Sequence, residues 1–168
     1  MDIQVVIMRH AKAEGEGATD QARQLTGRGR RDSVVAGRML AETGVAPQLV
    51  LVSTAARSQQ TWSGVMQGLQ IDLEPQVEDG LYMGGADDVI DLLTTVDDSV
   101  RSAVVVWHNP AMEMVSHLLD DGSGPDEVRE ARDRKYPTAA WSLLVADVPW
   151  GGVQESSMTL TGFGVGRG

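Results

Sequence analysis

Three short segments each follow a run of apolar residues with a group able to do chemistry. In MDIQVVIMRHAKAE the run at residues 3–8 stops at Arg9 and His10. In QLVLVSTAARSQQT the run at 48–52 is followed by Arg57, and in SAVVVWHNPAM the run at 103–107 is followed by His108. A neutral imidazole is a nucleophile, and a guanidinium is a planar fork that fits two phosphoryl oxygens at once. A phosphoryl group asks for positive charge around its equatorial oxygens and an in-line nucleophile. Two arginines and two histidines brought together would supply both. Taken alone, the first segment also fits an arginine capping a sheet edge and a solvated histidine; the three segments together make the stronger case.

The elements needed to bring them together are legible. Short continuous apolar runs predict strands buried on both faces, as in a parallel sheet, with their carboxyl ends opening on one crevice. Thr26 is a suitable N-cap for a helix running to about Thr43 and ending at Gly44, with Val34, Val35 and Met39 turned inward. Helical spacing resumes from Ala55 through Trp62, Val65, Met66 and Leu69, and again in DDVIDLLTTV and NPAMEMVSHLL, the last with Pro110 in its first turn. A weaker strand is expected near Gln76 and Val77, a late one in AAWSLLVADV, and a final one from Val153 to Leu160. Residues 11–24 read as a long polar loop and residues 122–135 as an exposed, charged connection. Strands alternating with helices predict an α/β fold, a three-layer α/β/α sandwich with a mostly parallel central sheet. The domain reading is one catalytic domain over 1–161 followed by a flexible tail, 162–168.

The chain has 168 residues, 24 of them acidic against 14 basic, for a formal charge of -10. That balance excludes a broad nucleic-acid surface, so an anionic substrate must be met by a local cationic pocket. All the basic residues except Lys12 and Lys135 are arginine. With no cysteine, disulfides and thiolate metal sites are excluded, and no apolar stretch approaches the roughly 20 residues that span a bilayer. The expectation is a cytoplasmic protein with no membrane contact.

Four motifs in order, RHAKA, QLTGRG, STAARSQQT and WHNPAME, resemble the histidine phosphatase superfamily, also called phosphoglycerate-mutase-like. The RHA opening, the short length and YPTAAWSLL resemble its small bacterial phosphohistidine phosphatase branch. The resemblance implies a phosphoglycerate-mutase-like fold and cofactor-independent, metal-independent phosphatase chemistry. His10 would be the nucleophile, Arg9 and Arg57 phosphate clamps, His108 a protonated second pocket histidine, and Arg23 a substrate-facing residue. Three positions depart from the common pattern. Ala11 and Trp107 stand where glycine is usual, and Thr54 where proline is usual; the Trp107 ring would either narrow the pocket or pack in the core.

Larger members carry a carboxylic acid after the third strand, and Glu78 and Asp79 fall near that place, Asp79 being the candidate acid. An alkoxide leaving group gains roughly 10²- to 10⁴-fold from such an acid. An imidazole, with a conjugate-acid pKa of about 6.5, needs less help, so a site without a clear acid favours a phosphoramidate. The expected substrate is therefore a phosphohistidine on a protein, the alternatives being a small phosphate ester or nucleotide-like metabolite, and a phosphate-dependent binding module without turnover. Arg28, Arg30 and Arg31 read as a solvated helix face, His117 as a surface or packing histidine, and GFGVGRG as a tail rather than a phosphate loop.

Overall fold

The computed structural model describes residues 2–168. Strand β1 (Ile3–Arg9) leads through loop 10–26 into α1 (Gly27–Glu42), then β2 (Leu49–Ser53) and α2 (Ala56–Leu69). The short β3 (Gln76–Glu78), α3 (Asp79–Met83) and α4 (Ala86–Thr94) precede β4 (Ser102–Trp107) and α5 (Ala111–Leu119). The chain closes with α6 (Asp126–Arg134), β5 (Ala140–Ala146), a 3₁₀ turn at Trp150–Gly152 and β6 (Thr159–Val165).

The six strands form one sheet in the order β3-β2-β4-β1-β5-β6. β1, β2, β3 and β4 run parallel, and β5 is antiparallel to both of its neighbours. Successive side chains of a strand point to opposite faces, and here each face has its own core. Val6, Met8, Val52, Val104 and Val106 pack under α1 and α2 with Leu40, Trp62 and Val65. Val5, Ile7, Val105 and Trp107 pack on the other face with Val89, Leu93, Met112 and Val115 from α4 and α5. This covering of both faces is why β1, β2 and β4 are unbroken apolar runs in the sequence.

Helix α1 starts where expected, with the Gly29 N–H donating to the Thr26 hydroxyl at 2.9 Å. Its inward face differs from the expectation: Ser33, Ala36, Gly37 and Leu40 are buried, while Val34, Val35 and Met39 are only half-buried. The cause is the close approach of α2. A Cβ on Gly37 would lie 2.2 Å from the Val65 carbonyl oxygen, and one on Gly68 would lie 2.1 Å from that of Val34. Two helix backbones meet here on glycines, and the bulkier residues are turned aside.

Residues 122–135 are not a simple exposed connection. They contain α6, whose Arg132 is buried and pairs with Asp120 at 3.0 Å while also donating to the Ser116 carbonyl at 3.0 Å. Asp126 and Glu127 at its start and Arg132 and Arg134 at its end complement the helix dipole. The last strand also lies later than expected, at Thr159–Val165. The end of the chain is held: the Gly166 N–H donates to the Ala139 carbonyl (3.1 Å) and the Gly168 N–H to the buried Asp32 carboxylate (2.8 Å). Where a flexible tail is expected from residue 162, β6 continues to Val165, and the last three residues are hydrogen-bonded to the Ala139 carbonyl and the Asp32 carboxylate.

Candidate active site

The carboxyl ends of three adjacent central strands, β2, β4 and β1, deliver the groups singled out in the sequence. His10 follows β1 directly. Its N–H donates to the Trp107 carbonyl (2.7 Å) and its carbonyl accepts the Ala139 N–H (3.1 Å), so its main chain is fixed on two sides. The ring is fixed as well, because Nδ1 lies 2.7 Å from the Ala11 carbonyl oxygen. A carbonyl only accepts, so Nδ1 carries the hydrogen and the neutral ring has its lone pair on Nε2. Burial pushes the His10 pKa down to about 4, with Arg57, Arg9 and His108 adding to the effect and the bond to Ala11 opposing it.

That shift has a consequence for stability. Between about pH 4 and 6.5 the unfolded chain protonates His10 and the folded chain does not, so the native state loses stability as pH falls through this window. The full loss is about 3 kcal/mol, the free-energy equivalent of moving the pKa from 6.5 to about 4. Denaturant unfolding at a series of pH values should show His10→Asn with a shallower slope over that window. An unchanged slope would contradict the buried neutral state.

Arg9 is half-buried and donates from Nη1 to the Tyr136 carbonyl at 3.1 Å. Its Nε is buried without a hydrogen-bond partner. Tyr136 is itself anchored, its hydroxyl donating to the Ile7 carbonyl at 2.7 Å. Arg57, the second residue of α2, is buried and donates from Nη1 to the Asp20 carbonyl at 2.9 Å. Ala55 caps α2 without a side chain; the Ala56 N–H instead donates to the Gln21 carbonyl (2.9 Å), so loop 10–26 lies over the helix start.

His108 follows β4, with Nδ1 buried and unpartnered. Trp107 is fully buried in the core and meets the His108 ring edge-on, with centroids 4.5 Å apart. Its bulk therefore supports the second histidine from behind rather than filling the pocket. Burial and Arg57 push the His108 pKa down, with Asp20 opposing them. A cleft of about 340 Å³ opens beside His108, bordered by Gly84, Gly85, Asp88, Pro110 and Met114.

The expected acid and the carboxylate that meets Arg57 are different residues. Asp79 is exposed at the first residue of α3, and among the described residues no hydrogen bond or ion pair joins it to His10, Arg57 or His108. The carboxylate that does reach the clamp is Asp20, from the loop. One of its oxygens pairs with Arg57 Nη2 (3.3 Å) and accepts the Tyr82 hydroxyl (2.6 Å); the other pairs with Arg23 Nη1 (2.9 Å). Arg23 is thus tied to the site through Asp20 and to the loop through the Glu14 carbonyl (2.9 Å). Nothing periodic marks Asp20 in the sequence; its only signal is a carboxylate three residues before Arg23. Among the described residues no three His, Asp or Glu side chains gather as a metal site, and no helix is long and apolar enough to cross a membrane.

No protein-family model matches the chain. An uncharacterized protein of Mycobacterium tuberculosis is 34% identical over 162 residues, covering 95% of this chain and all of that protein. A phosphohistidine phosphatase SixA homolog of Haemophilus influenzae is 30% identical over 157 residues, 88% of each chain. The chain belongs to the histidine phosphatase superfamily, in its SixA-like branch. Among solved structures, one assigned to the phosphohistidine phosphatase SixA of Nakamurella multipartitia superposes with a TM-score of 0.83 at 25% identity, over 98% of this chain and 96% of that one. The protein histidine phosphatase SixA complexed with tungstate superposes at 0.78, with 25% identity and 97% coverage of both chains. As a SixA-like histidine phosphatase the protein is a phosphoryl hydrolase, and its mostly parallel α/β sheet is the fold of that superfamily.

Proposed function

We propose that this phosphatase removes phosphoryl groups from phosphohistidine on proteins, through a covalent intermediate on His10. One observation carries the reading: a buried, neutral His10 ring whose hydrogen is held on Nδ1 by Ala11, leaving Nε2 as the nucleophile beside two arginines. A binding module needs the arginines but has no use for a nucleophile held in one tautomer. The phosphohistidine phosphatase relative from Haemophilus supports the substrate class.

In the proposed cycle Arg9 and Arg57 hold the phosphoryl oxygens, and the Nε2 lone pair forms a bond to phosphorus as the bond to the leaving group breaks. The dianion reverses the local field around His108, favouring its protonated form, which keeps its proton and hydrogen-bonds it to a phosphoryl oxygen. Phosphorylated His10 still carries its Nδ1 hydrogen on the Ala11 carbonyl. When water forms the new P–O bond, the P–N electron pair returns to Nε2, neutral imidazole is regenerated, and the water proton goes to a phosphoryl oxygen. Arg23 contributes through its hold on Asp20.

A hydrolysis panel tests the proposal. With a phosphohistidine peptide, p-nitrophenyl phosphate, sugar phosphates and nucleotides, kcat/KM is expected to be largest for phosphohistidine. A sugar phosphate or nucleotide exceeding it would transfer the assignment to a small-molecule phosphatase. Phosphate release from none would leave a binding module.

A further inference from the structure

The carboxylate on the phosphate clamp is an apparent contradiction. An anion paired with Arg57 both competes with an incoming phosphoryl group and repels it, so Asp20 works against every plain phosphate ester. It also sits at an open position, its side chain keeping 55% of its surface accessible. Two oxygens offer about four acceptor directions; Arg57, Arg23 and Tyr82 take three, which leaves room for one more donor. The chemistry of P–N cleavage calls for such an acceptor.

A phosphorylated imidazole ring whose remote nitrogen is unprotonated must leave as an anion, a poor leaving group. With a proton on that nitrogen the P–N electron pair returns to the ring and neutral imidazole departs. His10 already uses this arrangement, its own remote N–H resting on the Ala11 carbonyl. The substrate ring lies across phosphorus from it and needs an acceptor of its own.

We infer that Asp20 is the substrate-specifying residue of this phosphatase, its carboxylate accepting the remote ring N–H of a bound phosphohistidine and so keeping the leaving imidazole protonated. The inference rests on the phosphohistidine reading above. Tyr82 and the two arginines hold the Asp20 carboxyl below the usual carboxylate range, which fits a fixed anionic acceptor and not a general acid. The repulsion that penalises an ester becomes attraction for a substrate bearing a cation next to its phosphoryl group.

Asp20→Asn tests this on the intact chain, at an exposed loop position that supports no core packing. The variant is expected to lose roughly 10- to 100-fold in kcat/KM for a phosphohistidine peptide, the scale of one charge-assisted hydrogen bond. On p-nitrophenyl phosphate it is expected to gain about 2- to 5-fold, because a like charge has gone. The groups facing Asp20 are Arg57 from α2, Arg23 from its own loop, Tyr82 from α3 and His108 after β4. With these unchanged, the alkaline limb of the phosphohistidine pH profile should move to lower pH, by more than the limb seen with the aryl phosphate, because the bound ring now gives up its proton more readily. An equal loss on both substrates, or an unchanged selectivity ratio, overturns the role of Asp20. Failure of the unaltered enzyme to hydrolyse phosphohistidine while it hydrolyses the aryl phosphate overturns the functional reading itself.

Discussion

His10→Ala is expected to lower turnover by roughly 10⁴-fold or more, the scale on which a nucleophile's removal acts when the remaining groups can only bind. Nothing else in the pocket replaces it: His108 has its Nδ1 buried and lies against Trp107, on a different strand from the Arg9–His10 pair. The covalent adduct is the decisive readout. Rapid-quench mass spectrometry of the unaltered enzyme with excess substrate should show phosphate on His10, acid-labile and alkali-stable as a phosphoramidate is. His10→Ala should show none, and His108→Ala should show slower labelling still confined to His10. Phosphate found on His108, or turnover in the His10→Ala enzyme within tenfold of normal, would refute the mechanism.

Arg57→Ala is expected to fold and to lose roughly 10²- to 10³-fold in turnover, the range for removing one preorganised donor to transition-state charge. Its side-chain hydrogen bonds run to the Asp20 carbonyl and carboxylate in the loop, not into the sheet. Its backbone carbonyl, which accepts the Thr61 hydroxyl at 2.7 Å, is untouched by the change. Arg57→Lys should recover only part of the loss, since an ammonium is a point charge without the planar fork. Thermal unfolding and steady-state kinetics on the same preparations separate the outcomes. Retained turnover, or a variant unfolded at 25 °C, would remove Arg57 from the clamp.

The parts of this molecule that were readable in advance share a physical origin. β1, β2 and β4 are covered on both faces, so they announce themselves as largely apolar runs; Arg9, His10 and His108 stand out because they follow such runs immediately, and Arg57 because it lies five residues beyond one. The glycine seam between α1 and α2 was hidden, since a periodicity of apolar residues weighs Val34 and Val35 above Gly37 and Gly68. Here the contact is decided by smallness. α6 was hidden for a related reason: Arg132 and Asp120 bury each other's charge, and in a sequence both look solvated. Asp20 acquires its role only when the loop is laid across the first turn of α2, an arrangement fixed by the Ala56–Gln21 hydrogen bond and by no local pattern.

The parallel arrangement of β2, β4 and β1 has a further effect, on the amount of enzyme and not only on its rate. Arg9, His10, Arg57 and His108 come from three segments far apart in the chain and become neighbours only once two crossovers have closed. No partly assembled sheet presents the whole clamp, so an anion that binds it binds the native state alone. At 100 times its Kd such a ligand adds about 2.7 kcal/mol to stability. A phosphate ion held there would act as a folding ligand for this chain, protecting it from proteolysis in proportion to its concentration. A substitution that weakens the clamp would forfeit that protection, so the total activity of a preparation exposed to protease is expected to fall further than the activity per folded molecule.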